Sequence, residues 1–110
     1  MSPPPDQHPF ERAVEASVLN RLSDPDFGKE HLCDVMQVEL SMLNRQLMAI
    51  TGYTADDYIL TIRLRIAREL LSRTNWSVAE VASEVGYASA SQMVQAIRDR
   101  FIPQVWRHQG

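Results

Sequence analysis

The sequence predicts an all-α fold of about seven helices. Three observations predict it. Apolar residues recur at intervals of three and four, and no segment alternates apolar and polar residues for long enough to make a strand. Hydroxyl residues also stand three positions ahead of acids at the heads of apolar runs, as in Thr54 with Asp57 and Ser77 with Glu80. At 110 residues the chain is one domain, or two very small ones sharing a core. An apolar fraction of 45% suits a soluble globular chain, and a single cysteine excludes an internal disulfide. Cys33 lies in an apolar helical stretch and reads as a small core residue rather than a reactive thiol or metal ligand.

The elements follow in order. Met1 to Pro9 is proline-rich and polar, a disordered lead-in or the end of a linker. Phe10, Val14, Val18 and Leu22, with Ala13 in the same stripe, mark one face of an amphipathic helix. Pro25 ends it, because the residue before a proline is pushed out of the helical region. A short helix from about Lys29 to Met36 offers Leu32, Cys33 and Met36. A third from about Leu40 to Ile50 offers Leu43, Leu47 and Ile50, and Thr51-Gly52 stops it.

Thr54 opens the longest helix, which runs to about Ser72. Its apolar residues Tyr58, Ile62, Leu64, Ile66, Leu70 and Leu71 point to more than one side, as a central strut requires. Ile66 and Leu70 are expected to be buried. Ser77 opens a fifth helix with the stripe Val78, Val81, Ala82 and Val85. Gly86 breaks it, and a further helix runs from about Ala90 to Phe101, with Pro103 closing the pattern.

Charge narrows the function classes. The net charge is −3. Residues 1–38 carry a net −4, whereas residues 39–110 carry a net +1 from eight arginines against seven acids. The acidic bias is N-terminal, so the remainder permits nucleic-acid binding without requiring it. His8, His31 and His108 show no ligand spacing, so no metal is assigned, and no cofactor motif occurs. Nor are there paired catalytic groups, a glycine-rich phosphate loop or a Cys/His arrangement, so an enzyme is not expected. No apolar run approaches the roughly 18 residues that span a bilayer, and the N-terminus lacks a signal-peptide pattern. The expected setting is cytoplasmic, with no membrane insertion by this domain.

The chain contains an internal repeat. Leu32-Cys33 followed by Met36-Gln37-Val38 matches Val81-Ala82 followed by Val85-Gly86-Tyr87. Leu43, Asn44, Arg45 and Leu47 then match Met93, Val94, Gln95 and Ile97 after a one-residue slip. Each unit is a short helix, a tight turn and a second helix, which is the helix-turn-helix pattern.

With these residues in view, the chain from about Phe10 to Arg107 resembles the C-terminal DNA-binding domain of AraC/XylS transcription regulators. The resemblance rests on Ile62-Arg63-Leu64-Arg65-Ile66-Ala67 with Leu70-Leu71, on Ser77 to Ala82 with Val85-Gly86-Tyr87, and on Phe101, Pro103, Trp106 and Arg107. Two residues of the closing signature are missing, and Ile102 stands where the family has glycine. The implied architecture is homeodomain-like: a first helix-turn-helix at about 28–52, a linker helix at about 54–72 and a second helix-turn-helix at about 77–101.

The resemblance implies that the second helix of each pair reads a major groove. Its base-facing positions map to Leu40, Ser41, Asn44 and Arg45 on the first reading helix. On the second they map to Ala90, Ser91, Gln92, Val94 and Gln95, with Arg98 and Arg100 placed for phosphates. Arginine can bond guanine O6 and N7 together, asparagine can do the same to adenine N6 and N7, and alanine or valine can touch a thymine methyl. Gln95 replaces a cation common in the family, so the second helix is expected to grip weakly. Glu39 replaces the usual Ser or Thr cap, and Ala55 a frequent proline. Arg63, Arg65, Arg68 and Arg73 are expected to form a phosphate-facing strip or to pair locally with Asp56, Asp57 and Glu69, with Arg63 the more structural.

The implied partners are double-stranded DNA, a sensor or receiver module in the same polypeptide or a larger parent protein, a dimer mate through that module, and RNA polymerase. The alternative from another class is a degenerate helix-turn-helix module that meets a protein through Leu40, Met42 and Val94.

Overall fold

The computed structural model describes residues 7–101, without the side chain of Phe101. Six helices make up this part: α1 Pro9–Asn20, α2 Lys29–Met36, α3 Leu40–Thr51, α4 Ala55–Arg73, α5 Val78–Glu84 and α6 Ala90–Phe101. Among the described residues there is no strand. About seven helices were expected; the prolines at 3–5, and Ile102, Pro103, Trp106, Arg107 and His108, lie outside the described residues.

Helix α1 starts at Pro9, one residue before the apolar stripe. Proline suits a first helical position because its missing N–H has no intrahelical acceptor there. His8 Nδ1 caps the end by accepting the Phe10 N–H at 3.0 Å. Val14 and Val18 are fully buried and Phe10 packs partly, whereas Ala13 is exposed and drops out of the expected stripe. The helix ends at Asn20 rather than Leu22, because the Arg21 N–H turns back to the Val18 carbonyl at 3.2 Å. The loop that follows delivers Phe27 to the core, a residue that no periodicity marks.

Helix α4 carries two cores. The first unites Val14, Val18, Phe27, Leu32, Leu43 and Leu47 with Ala55, Tyr58, Ile59 and Ile62 from α4. The second unites Ala67 of α4 with Val81, Ala82, Val85 and Met93. Leu22 and Ile66 pack against both. Ile66 therefore lies at the seam, and Leu70 packs against the second core from its edge. Both are half-buried rather than buried, and Leu64 and Ala67 take the interior positions instead. Cys33 likewise packs against the first core while only half-buried.

Local signals hold where the helices begin. Thr54 Oγ1 accepts the Asp57 N–H at 3.3 Å. Ser77 and Glu80 bond reciprocally, at 3.1 Å to the serine hydroxyl and 2.8 Å to the glutamate. Val81, Ala82 and Val85 fill the second core, but Val78 is 43% exposed. As the first residue of α5 it leans towards the N-terminus, past the turn that packs on α4. No described helix is long and apolar enough to cross a membrane.

Candidate nucleic-acid interface

The two turns are built alike. In the first, Gln37 takes the left-handed region at φ 57°, and the Val38 N–H reaches the Cys33 carbonyl at 3.1 Å. In the second, Gly86 sits at φ 88°, and the Tyr87 N–H reaches the Ala82 carbonyl at 2.8 Å. A left-handed residue after the helix, with this back-reaching bond, satisfies carbonyls the helix would leave open. The chain then turns sharply into α3 and into α6.

Gly86 has a second reason to be glycine. A Cβ there would overlap the Arg63 guanidinium and the Leu22 carbonyl. Arg63 is only 6% exposed. Its Nη1 donates to Leu22 O at 2.5 Å and Val85 O at 2.6 Å, and its Nη2 to Asp24 O and Phe27 O, both at 3.1 Å. Burial draws the guanidinium below its usual range, while Tyr87 and Asp24 act in the opposite sense. One side chain thus ties α4 to the α1–α2 loop and to the α5–α6 turn. Arg63 is interior and joins no phosphate-facing strip.

The remaining α4 arginines divide. Arg65 pairs with Glu15 of α1 at 2.9 Å, rather than with an acid of α4. Burial is the largest single effect on the Glu15 carboxyl and raises it, but the bond from Gln7 and the pair with Arg65 together hold it below its usual range. Asp56 pairs with Lys29 at 2.9 Å and Asp57 with Arg100 at 3.7 Å. Arg68 and Arg73 are exposed and, among the described residues, make no ion pair.

On α3, Leu43 and Leu47 are fully buried, which turns Ser41 and Arg45 to the opposite face. Ser41 and Arg45 are exposed there and Met48 shares the face; the apolar Leu40 and Met42 are exposed as well. Among the described residues Arg45 makes no ion pair, so its guanidinium is available to a ligand. Asn44 differs: it is half-buried, and its Oδ1 accepts the Ala55 N–H at 2.8 Å. Glu39 caps α3 without a side-chain hydrogen bond.

On α6, buried Met93 and half-buried Ile97 turn Ser91, Val94, Gln95 and Arg98 outwards. Ala90 is half-buried. Ser89 caps the helix by accepting the Gln92 N–H at 3.1 Å, and Gln92 Oε1 accepts the Ala88 N–H at 3.3 Å. Gln95 Nε2 donates to Asp99 at 2.9 Å, an i, i+4 pair that the spacing alone could have signalled. Arg100 turns inwards. Its Nη2 donates to Thr61 at 2.7 Å, and its guanidinium lies 5.3 Å from the Tyr53 ring centre. Arg98 is exposed and, among the described residues, makes no ion pair.

Each unit therefore offers an outward helix face above its turn. A family model described as "Helix-turn-helix domain" matches residues 32–107. Over 72 residues, 66% of the chain, it is 35% identical to the HTH-type transcriptional activator RhaS of Enterobacter sp. (strain 638), covering 26% of that protein. The DNA-binding domain of AdpA, a global transcriptional factor solved in complex with a target DNA, superposes with a TM-score of 0.73 at 25% identity, over 92% of this chain and 91% of that one. The C-terminal domain of AraT, a response regulator from Geobacillus stearothermophilus, gives a TM-score of 0.76 at 23% identity, over 94% and 88%. The chain spans about a quarter of the length of the curated relatives it matches. The paired turns, the linker helix between them and the match from Leu32 onwards place this chain in the AraC-type helix-turn-helix domain family.

Proposed function

We propose that the chain is a sequence-specific double-stranded DNA-binding domain of a bacterial transcription regulator, with α3 and α6 entering adjacent major grooves. One observation carries this reading: α3 presents exposed Arg45 beside Ser41, with no intramolecular ion pair on the arginine among the described residues. A guanidinium so placed can bond guanine O6 and N7 together. Helix α4, about 28 Å long at 1.5 Å per residue, is a spacer commensurate with the ~34 Å recurrence of groove faces. Residues 10–107 form the DNA-binding unit.

In this reading Ser91, Val94, Gln95 and Arg98 make the second, weaker set of contacts, and Arg98 faces a phosphate. The unit acts by binding rather than catalysis, in the cytoplasm, attached to a sensor or receiver module that brings two copies together. Contact with RNA polymerase belongs to that larger protein.

Exposed Leu40, Met42 and Val94 favour a second reading, a module that meets another protein. A mobility-shift assay on genomic fragments at low and moderate salt separates the two. DNA reading predicts a preference among fragments and a log–log salt slope of about −3 to −5 for roughly three to five neutralised phosphates. No preference at low salt, even with the domain dimerised through a fused partner, would overturn it.

A further inference from the structure

Asn44 lies among the residues that would read bases, yet its amide oxygen faces the protein. It accepts the Ala55 N–H at 2.8 Å, and Ala55 is fully buried. Ala55 is the first residue of α4, where a backbone N–H has no intrahelical acceptor. The cap Thr54 supplies none: its hydroxyl takes the Asp57 N–H at 3.3 Å, and its carbonyl, in the same peptide group as the Ala55 N–H, points away from it to the Tyr58 N–H at 2.8 Å. A buried N–H without a partner is costly, so the Asn44 oxygen is held where it is. Reading adenine requires that oxygen and the amide nitrogen to face the base together.

We infer that Asn44 is a positioning residue, not a base reader: it fastens the first reading helix to the start of the linker helix through Ala55. This rests on the DNA-binding reading proposed above for its effect on recognition, though not for the bond itself. The register of α3, and with it the aim of Arg45, is set through α4. Proline at position 55 would abolish the need for the bond, since it has no N–H and fits a first helical position. The two positions therefore act as a pair.

A melting cycle without DNA tests the pair. Asn44→Ala is expected to lower the melting temperature by about 4–8 °C, the shift that one lost buried hydrogen bond produces in a domain of this size. Ala55→Pro alone is expected to lower it too, because the ring crowds the Asn44 oxygen and leaves it unpaired. The double variant is expected to recover most of both losses, and purely additive losses would overturn the pairing. Asn44→Asp keeps the acceptor and is expected to melt close to the parent. A drop equal to that of Asn44→Ala would overturn the pairing even if the proline variants fail to fold.

Site selection from randomised DNA then tests recognition. The double variant is expected to prefer the same base at every position as the parent. Loss of preference at one base pair would make Asn44 a reader. A parent with no preferred site would overturn the DNA-binding proposal and leave the melting cycle to decide the role of Asn44.

Discussion

In the first unit the Val38 N–H reaches back to Cys33, and in the second the Tyr87 N–H reaches back to Ala82, each across a left-handed residue. Beyond the turn the two units part. The first turn holds Gln37 in the left-handed region, whereas Gly86 shares its space with the Arg63 guanidinium. Helix α3 is capped by Glu39 without a side-chain bond, and α6 by the Ser89 hydroxyl. On the outward faces Arg45 matches Gln95 and Met48 matches Arg98, so the exposed cation of the second unit sits one turn later. Both reading helices are tied to α4, the first through Asn44 to Ala55 and the second through Arg100 to Thr61. The comparison teaches that the backbone device is shared, while each unit sets its own division of polar groups between fold and ligand.

The largest test of that contrast lies in the turns. Gly86→Ala strains a φ of 88° and displaces Arg63 from four carbonyls. A loss on the order of 3–5 kcal/mol is expected in chemical denaturation. Gln37→Gly at the equivalent turn is expected to be neutral or to stabilise by roughly 0.5–1 kcal/mol, by relieving an αL side chain. Equal and opposite responses of similar size would mean that Arg63 does not distinguish the two turns.

Arg100 comes next. Its bond to Thr61 and its stacking on Tyr53 predict that Arg100→Ala costs roughly 1–2 kcal/mol of stability. The salt dependence of DNA binding should stay unchanged, whereas Arg98→Ala should flatten the log–log slope by about 0.9 for one phosphate contact. A flatter slope from Arg100→Ala would put that residue on DNA.

The smallest effect is an acid one. The Ser77 backbone N–H, and then its hydroxyl, hold the Glu80 carboxyl below its ordinary 4.5. A depressed folded value means that this stabilisation is present above the unfolded value and is lost as pH falls through the folded one. Glu80→Gln keeps an acceptor for Ser77 but cannot titrate. Its melting temperature should therefore fall less than the parent's below about pH 4.5, a difference read directly from melts at neutral and acid pH.

Much of this was legible in the sequence because it is local. Capping pairs such as Ser77–Glu80, the stripe Val14–Val18 and the repeat of Leu32 with Val81 all act within a few residues. They located the helices and the two turns. Phe27 escaped because a single aromatic in a loop has no period, and Ile66 and Leu70 were overrated because only packing reveals a seam between two cores. The candidate site was less legible. Spacing marked the two helices and the family resemblance put Asn44 and Arg100 among their DNA-facing residues. Their partners Ala55 and Thr61 lie 11 and 39 residues away, and helical periodicity carries no information about such bonds.

Recognition in the first unit is proposed to rest on Arg45, an exposed cation with no ion pair among the described residues. Parallel DNA titrations of Arg45→Ala and Gln95→Ala on the parent's preferred site test it most directly. Arg45→Ala is expected to weaken binding by roughly 1–3 kcal/mol and to relax preference at one base pair. Gln95→Ala, whose amide is bonded to Asp99 in the free chain, should cost less. Equal affinity of Arg45→Ala and the parent, or a larger loss from Gln95→Ala, would contradict the account.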